Sequence, residues 1–145
     1  MTKKLEMKLV CHRHRPTYSN GHAAGLDLRI MTDEPLIIPP EGHSRIMTGV
    51  HMEIPAGYFG LIAIRSGLGS RGLTLSNSVG IIDEDYRGEI MIPVYNHGTE
   101  TFQLEDGERV AQLILIPTAQ ADLVFVDQLG ETDRGTEGFG SSGRF

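Results

Sequence analysis

Residues 76–90 read SNSVGIIDEDYRGEI. Two apolar runs, Leu73–Leu75 and residues 79–82, flank the polar trio at 76–78, and a polar trio in that setting predicts a hairpin turn. Three consecutive acids, residues 83–85, follow the second run directly. Clustered carboxylates are costly to bury in a hydrophobic core. The stretch therefore indicates a site at the end of a strand.

The three acids admit two interpretations. If the backbone stays extended, Asp83 and Asp85 share one face of the strand and Glu84 points the other way. A carboxylate at the tip of a rigid hairpin could then orient an attacking water as a general base. The alternative is a solvated acidic turn, which is the commoner role of neighbouring acids.

Length and composition predict one folded domain. The chain has 145 residues, of which 39% are hydrophobic and 22% charged, which is ordinary for a globular protein. No apolar run reaches membrane-spanning length, and charged residues interrupt the start of the chain where a signal peptide would need an apolar segment. The single cysteine, Cys11, excludes an internal disulfide and a cysteine zinc cage. We therefore expect a cytoplasmic protein with no membrane partner.

The net charge and the type of basic residue limit the classes of molecule that the protein could bind. The formal net charge of −6 argues against a nucleic-acid-coating protein, which would show a basic face. Every lysine or arginine position after Lys8 holds an arginine, and the planar guanidinium fork suits bidentate recognition of phosphate. An acidic protein that binds a polyphosphate would need local arginines, backbone amides and a metal ion to offset repulsion.

The rest of the chain is typical of an all-β protein. No stretch keeps an apolar i, i+3, i+4, i+7 pattern over three helical turns. Leu5, Met7, Leu9 and Cys11 alternate with polar neighbours, which predicts a half-buried strand. Further strands are predicted at about 24–30, 36–38, 44–54, 58–64, 73–75, 79–82, 89–95, 99–104, 108–117 and 122–126, with one short helix at 66–71. This pattern favours a sandwich or barrel.

Several polar residues are candidates for a site, each with a structural alternative. His12 and His14 could share a strand face and suggest a metal, but no third ligand stands nearby, which favours a solvated surface. Ser66 and Gly67, after Arg65, could form an anion nest or a plain capping turn. Asp27 is either a buried, paired carboxylate or part of a metal–water network.

Two further candidates lie later in the chain. Gln112 can hold a phosphate oxygen or a nucleophilic water, while Arg109 fits a structural ion pair. From Arg134 onward the tail is glycine- and serine-rich and lacks the apolar content to pack by itself. Phe139 stands alone among its glycines, so stacking on a flat base explains it best.

Taken in order, five segments resemble the ordered motifs of the trimeric deoxyuridine triphosphatases. The resemblance covers residues 24–143. The segments read AGLDL at 24–28, RSGL at 65–68, GIIDEDYRG at 80–88, GERVAQL at 107–113 and RGTEGFGSSG at 134–143. The family usually has glycine where Glu137 stands and often threonine where Ser142 stands, and Glu137 would have to point away from a polyanion.

This resemblance implies a fold and an assembly. The fold would be an all-β, distorted jelly-roll-like barrel or sandwich, spanning residues 1–133, with one short helix. Residues 134–145 would form an arm that closes over the site of a neighbouring subunit. The protein would be a homotrimer with three sites shared between subunits, and the apolar face of Ile90, Ile92 and Val94 could belong to the protomer core or to central packing.

The resemblance also implies a reaction and its residues. The enzyme would hydrolyse dUTP to dUMP and pyrophosphate, which keeps uracil out of DNA and supplies dUMP for dTMP synthesis. Asp83 would activate a water for in-line attack at the α-phosphorus, and Mg²⁺ would be held mainly by substrate phosphates and waters, with no direct protein ligand. Base and sugar would contact Asn77, Gly80, Ile82, Tyr86 and Phe139. Phosphates would contact Arg65, Ser66, Gly67, Gln112, Arg134, Gly138, Ser141 and Ser142. Asp27 and Arg109 would support the site.

Two rival functions use the same scaffold. One is a regulatory protein, such as a viral homologue, that binds nucleotide and signals to a partner. The other is a dCTP deaminase, which relies on a different acid and a different base pocket. Turnover of dUTP compared with dCTP would separate the second rival, and binding without turnover would favour the first.

Overall fold

The chain is built from short antiparallel strands and one short helix, as seen in a computed structural model that describes residues 4–138. The strands are β1 (Lys8–Cys11), β2 (Thr17–Tyr18), β3 (Leu26–Arg29), β4 (Leu36–Ile38), β5 (His43–Met47), β6 (Val50–Glu53), β7 (Tyr58–Ile64), β8 (Leu73–Leu75), β9 (Gly80–Ile82), β10 (Met91–Asn96), β11 (Phe102–Leu104) and β12 (Arg109–Pro117). The helix α1 (Ser66–Gly69) lies between β7 and β8. The prediction of an all-β fold with one short helix is confirmed.

The strands form four hydrogen-bonded groups. The largest sheet has five strands in the order β2-β3-β12-β7-β9, and β12 lies at its centre. A three-stranded sheet has the order β5-β10-β8, and two-stranded pairs are formed by β1 with β6 and by β4 with β11. The largest sheet carries most of the residues that form the candidate site described below.

The core is made of apolar side chains from all four groups. In β10 the alternation is regular: Ile92, Val94 and Asn96 point inward, and the intervening positions face outward. Ile90, Ile92 and Val94 are fully buried inside the protomer, so of the two locations open to this apolar face, the structure places it in the core. Burial of large aliphatic side chains contributes about 1.5–3 kcal/mol each.

Asn96 is a polar residue inside this core. Its Nδ2 donates to the carbonyl oxygens of Ile38 and Glu100, at 3.0 and 2.8 Å, and its Oδ1 accepts from the N–H of Gly98 at 2.9 Å. A buried amide with both ends bonded avoids the cost of lost hydration. Asn96 therefore joins β10 to the β4 edge and to the turn before β11.

The predicted strand at 44–54 is two strands in different sheets. β5 belongs to the three-stranded sheet and β6 pairs with β1. The break falls at Thr48 and Gly49, where Gly49 has a φ of +64°, a conformation that suits glycine. The two N–H groups at this break donate to Oε1 of Glu89, at 3.2 and 2.7 Å. The apolar pattern gave no sign of this corner because both strands bury similar residues.

The hairpin predicted around residues 76–78 was wrong. The chain does turn there, with Ser78 at a φ of +67° and its N–H donating to Leu75 O at 3.1 Å. The strands on either side do not pair with each other: β8 pairs with β10, and β9 pairs with β7. The turn carries the chain from one sheet to another, which local sequence cannot distinguish from a hairpin.

The strand predicted at 122–126 is also wrong for the single protomer. These residues follow β12 without joining a sheet, and Leu123, Val124 and Phe125 are 78%, 81% and 92% exposed. Leu129 is 88% exposed. Within residues 4–138, no helix is long and apolar enough to cross a membrane.

Candidate active site

Asp27 is a buried carboxylate held by two arginines. It is 5% exposed and lies on β3. Its Oδ1 is 3.3 Å from Nε of Arg65, and its Oδ2 accepts a hydrogen bond of 3.2 Å from Nη1 of Arg109. A carboxylate removed from water needs such compensation. Of the two predicted alternatives for Asp27, the structure shows the buried, paired carboxylate.

Gln112 lies beside this ion-pair network on the central strand. It is directly across from Asp27 on β3 and from Ala63 on β7. Its side chain packs on the backbone of Gly25, where a methyl group would come within 2.8 Å of Gln112 Cβ. The absence of a side chain at Gly25 is therefore what lets the glutamine lie across the strand end.

The helix α1 begins immediately after Arg65. Arg65 occupies the N-cap position and no side chain caps the helix, so the capping turn considered as one alternative, with the Ser66 side chain as the cap, is not formed. Ser66 and Gly67 are exposed in the first turn. Their backbone N–H groups belong to the part of a helix that has no intrahelical acceptor. We call Asp27, Arg65, Ser66, Gly67, Arg109 and Gln112 the strand-end group.

Asp83 lies at the other end of β7. Gly80 pairs with Ile62 and Ile82 pairs with Gly60, so Asp83 follows directly beyond this ladder. The backbone does not stay extended there, because a turn at residues 84–85 brings the N–H of Tyr86 to Asp83 O at 3.2 Å. The condition under which Asp83 and Asp85 would share a strand face is therefore not met.

The loop after β9 is braced by its own side chains. Nη1 of Arg87 donates to the carbonyl oxygens of Glu84 and Tyr86, at 2.6 and 3.1 Å. The Tyr86 hydroxyl donates to Glu89 O at 2.9 Å, and the ring lies against Gly88 and stays 38% exposed. The ring is thus held in place while one side of it faces outward.

A cavity of about 850 Å³ opens beside this loop. Its lining includes Asp83, Glu84 and Asp85 together with the apolar side chain of Ile81, which is 61% exposed. Gly57, and Thr118 and Gln120 after β12, also line it. A polar, acid-lined opening of this size could admit part of a nucleotide, with Asp83 at its wall.

Asp83 and the strand-end group are far apart within one chain. Asp83 is beside the start of β7, near Phe59, and Arg65 follows the last residue of the same strand. Six residues of extended chain span roughly 20 Å. Within one chain the two groups therefore lie at opposite ends of β7.

Comparison with known proteins identifies the family. The sequence pattern of dUTPase matches residues 12–143. The chain belongs to the dUTPase family. It is 44% identical over 147 residues to the deoxyuridine 5'-triphosphate nucleotidohydrolase of Ralstonia pickettii, covering 97% of this chain and 99% of that one. It is 41% identical over 152 residues to the enzyme of the same name from Aeromonas hydrophila, covering 99% of each chain.

Solved dUTPase structures share the fold. The Staphylococcus bacteriophage 80alpha dUTPase with dUPNHPP superposes with a TM-score of 0.85 at 27% identity, covering 97% of this chain and 99% of that chain. A variant of the same phage dUTPase with dUpNHpp gives a TM-score of 0.83 at 28% identity, covering 98% and 99%.

The arm expected in this dUTPase-family chain is described only at its start. Gly138 is exposed, and Nε of Arg134 donates to Glu137 O at 2.9 Å within a tight turn. The predicted positions of Phe139, Ser141 and Ser142 lie outside the described residues. The Arg134 side chain is therefore engaged with the backbone at Glu137, the position where this chain departs from the family pattern.

The His, Cys, Asp and Glu side chains determine how the protein could ligate a metal. No group of three or more His, Cys, Asp or Glu side chains suited to a metal occurs among residues 4–138. The buried carboxylate of Asp27 already faces two guanidinium groups. His12 packs edge-on against His51 with ring centroids 5.6 Å apart, and His14 is bonded to Asp106. Within residues 4–138 these side chains therefore form no cluster of carboxylates of the kind that encloses a Mg²⁺ ion.

Sequence reasoning missed the contacts that fasten the Asp83 loop to the body. Glu84 bonds the N–H of Gly57, and Glu89 bonds the N–H groups of Thr48 and Gly49. Each pair joins residues 27 to 41 positions apart. A run of acids gives no local signal for such distant partners.

Proposed function

We propose that this protein hydrolyses dUTP to dUMP and pyrophosphate, with Asp83 as the base that activates water. The water oxygen attacks the α-phosphorus, the bond from that phosphorus to the bridging oxygen of the β-phosphate breaks, and Asp83 accepts the proton. The observation that carries the proposal is the exposed Asp83 carboxylate at the wall of a cavity, in a chain of this family. The reaction would keep uracil out of DNA and supply dUMP for dTMP synthesis.

The base and sugar would be read by the segment that leads to Asp83. Backbone groups around Gly80 and Ile82, with the Asn77 side chain, can pair with the edge of uracil, and a close backbone leaves no room for the 5-methyl of thymine. The braced ring of Tyr86 would pack beneath the deoxyribose and clash with a 2'-hydroxyl. The fixed hydroxyl of Tyr86 supports this, because a ring that cannot swing away discriminates better.

The phosphates would be bound by the strand-end group. Ser66, Gly67 and Gln112 would contact phosphate oxygens, and the arm would add Arg134, Gly138, Ser141 and Ser142. Arg65 is tied to Asp27 through Nε, so its remaining guanidinium nitrogens are the ones that would approach a phosphate. A Mg²⁺ ion held mainly by the substrate phosphates and waters would supply positive charge to offset the charge that develops on the leaving pyrophosphate.

The site would be assembled between copies in a homotrimer. The separation of Asp83 from the strand-end group supports this, because a complete set of contacts requires a second chain. The exposed apolar segment at 123–129 is further support, since a stretch with side chains up to 92% exposed gains stability by docking on a partner. The segment that fails to form a strand in one protomer could form it in the assembly.

The arm at 134–145 would close over the site of a neighbouring subunit, with Phe139 stacked on the base. Closure requires Arg134 to leave the carbonyl of Glu137 for a phosphate. Deletion of residues 134–145 should cut turnover of dUTP severely while the unfolding midpoint stays unchanged. An unaffected rate would leave the arm without this role.

A substrate panel tests the function. Pyrophosphate release should be fast with dUTP and slow with UTP, dTTP and dCTP, and Asp83→Asn should lose release while still binding a non-hydrolysable dUTP analogue. Release of ammonia from dCTP, measured in a parallel assay, would indicate the deaminase alternative. Tight binding of dUTP without turnover by the wild-type protein would indicate a regulatory nucleotide-binding protein instead.

A further inference from the structure

The Glu84 side chain fastens the loop that carries Asp83 to a distant turn. Oε2 of Glu84 accepts a hydrogen bond of 2.6 Å from the backbone N–H of Gly57. Gly57 belongs to the turn between β6 and β7, in which the N–H of Tyr58 donates to Pro55 O at 3.1 Å. The contact therefore joins the loop that follows β9 to the turn that precedes β7.

The Gly57 turn is itself attached to the central sheet. Gly57 has a φ of +77°, which suits glycine, and its carbonyl accepts a hydrogen bond of 3.0 Å from the N–H of Thr118, directly after β12. Both polar backbone groups of Gly57 are thus engaged, one by Glu84 and one by Thr118. The anchor that Glu84 uses is consequently fixed to the strand at the centre of the largest sheet.

Glu84 is held at its backbone as well as at its side chain. Its carbonyl accepts the 2.6 Å hydrogen bond from Nη1 of Arg87, and the preceding carbonyl, that of Asp83, accepts from the N–H of Tyr86. The side chain of Asp83, one peptide bond away, is exposed at the cavity. These restraints therefore act on Asp83 and on the residue next to it.

We propose that Glu84 is a positioning residue that aims the Asp83 carboxylate into the cavity. The inference rests on the proposed function, in which Asp83 activates the attacking water. Loss of the Glu84 contact would leave the turn closed on itself but free to shift relative to the sheet. A misplacement of about 1 Å in a catalytic group costs on the order of 10²-fold in rate.

The same contact contributes little to global stability. Glu84 and Gly57 are both exposed, and a charge-assisted hydrogen bond at an exposed site is weakened by competition with water. The effect of losing it should therefore fall on catalysis more than on folding. A loss of catalytic rate without a comparable loss of stability would distinguish positioning from a general structural role.

Three variants test the inference by steady-state kinetics with dUTP. Glu84→Ala should lower kcat about tenfold or more while KM changes little, because positioning acts on the transition state. Glu84→Gln should keep most of kcat, since its amide oxygen can still accept from Gly57 N–H. Glu34→Ala is the control: it removes an equal charge from an exposed position that does not line the cavity, and it should stay near the wild-type rate.

Four results would overturn the inference. They are wild-type kcat in Glu84→Ala, an equally low kcat in Glu84→Gln, an equal loss in Glu34→Ala, and a rise in KM at constant kcat. Asp83→Asn is measured in parallel. If it retains turnover, the proposed function fails; if it is inactive while Glu84→Ala is normal, only the positioning role fails.

Discussion

Nε of Arg65, at the end of β7, lies 3.3 Å from Oδ1 of Asp27 on β3. The second oxygen of the same carboxylate is bonded to Arg109 at the start of β12. One buried charge therefore ties together three neighbouring strands where Gln112 and the first turn of α1 are displayed. The phosphate-facing side of the proposed site is built on this network.

Asp27→Asn should destabilise the protein. The amide cannot balance two guanidinium groups, so we expect a loss of about 1–3 kcal/mol in the free energy of unfolding, at the lower end because both arginines are partly exposed. Urea unfolding at neutral pH measures it. Asp33→Asn, which removes an 89% exposed partner of Arg13, should cost less than about 0.5 kcal/mol. Equal losses in the two variants would contradict the buried network.

Asp106 should contribute a pH-dependent term to stability. A hydrogen bond from the N–H of Thr32, helped by His14 and Arg13, lowers the pKa of Asp106 from 3.8 to about 2. A carboxyl whose pKa is lower in the folded state stabilises the protein above the unfolded pKa, and this contribution is lost as the pH falls from about 4 through 2.

Asp106→Asn should therefore show a shallower fall in the free energy of unfolding between pH 4 and pH 2 than the wild type. Urea titrations at half-unit steps measure the slope. Asp122→Asn, in the exposed segment after β12, is the control and should follow the wild-type slope. The account of this contact is wrong if Asp106→Asn and the wild type lose stability in parallel across this range.

Gly25→Ala should reduce catalysis by displacing Gln112. The added methyl would overlap the glutamine side chain, including its Cβ, so the glutamine must leave its place across the end of β12. We expect kcat/KM for dUTP to fall about tenfold or more. Gly21→Ala is the matched control, because a methyl there has nothing within 4 Å. Wild-type kinetics in both variants would mean that Gln112 has no role in catalysis.

Phe125→Asp should weaken the assembly without unfolding the protomer. The side chain is 92% exposed in one chain, so a carboxylate there costs little until the segment docks on a partner. Light scattering should show a shift from trimer towards monomer at micromolar concentration. Gln128→Asp, which adds the same charge nearby, should leave the mass unchanged. A trimer that persists in Phe125→Asp would exclude this segment from the interface.

The sequence predicted the class of fold and most strands because alternating burial is a local property. β7 was predicted with the bounds it has, 58–64, and β8 with its bounds of 73–75. Sheet membership depends on distant partners, which is why the turn at 76–78 was taken for a hairpin although β8 and β9 lie in different sheets. The two-residue strand β2 was missed because so short a strand has no period to detect.

In the candidate site, too, local features were predicted from the sequence and features that depend on distant partners were not. Asp27, Arg65 and Gln112 were singled out by type and neighbours, and the structure brings them together at one strand end. The sequence could not place Asp83 at the far end of β7, because that depends on the β7–β9 register. The strand expected at 122–126 has the right apolar residues but no partner strand among residues 4–138.

The division of the site between two chains is tested most directly by mixing two inactive variants. Asp83→Asn keeps the strand-end group, and the double variant Ser66→Ala/Gln112→Ala keeps Asp83. After joint unfolding and refolding at equal amounts, random pairing should restore dUTP turnover to roughly a quarter of the wild-type rate, because that share of interfaces receives both intact halves. Each variant refolded alone should stay inactive. A mixture that is no more active than its components would contradict a site shared between subunits.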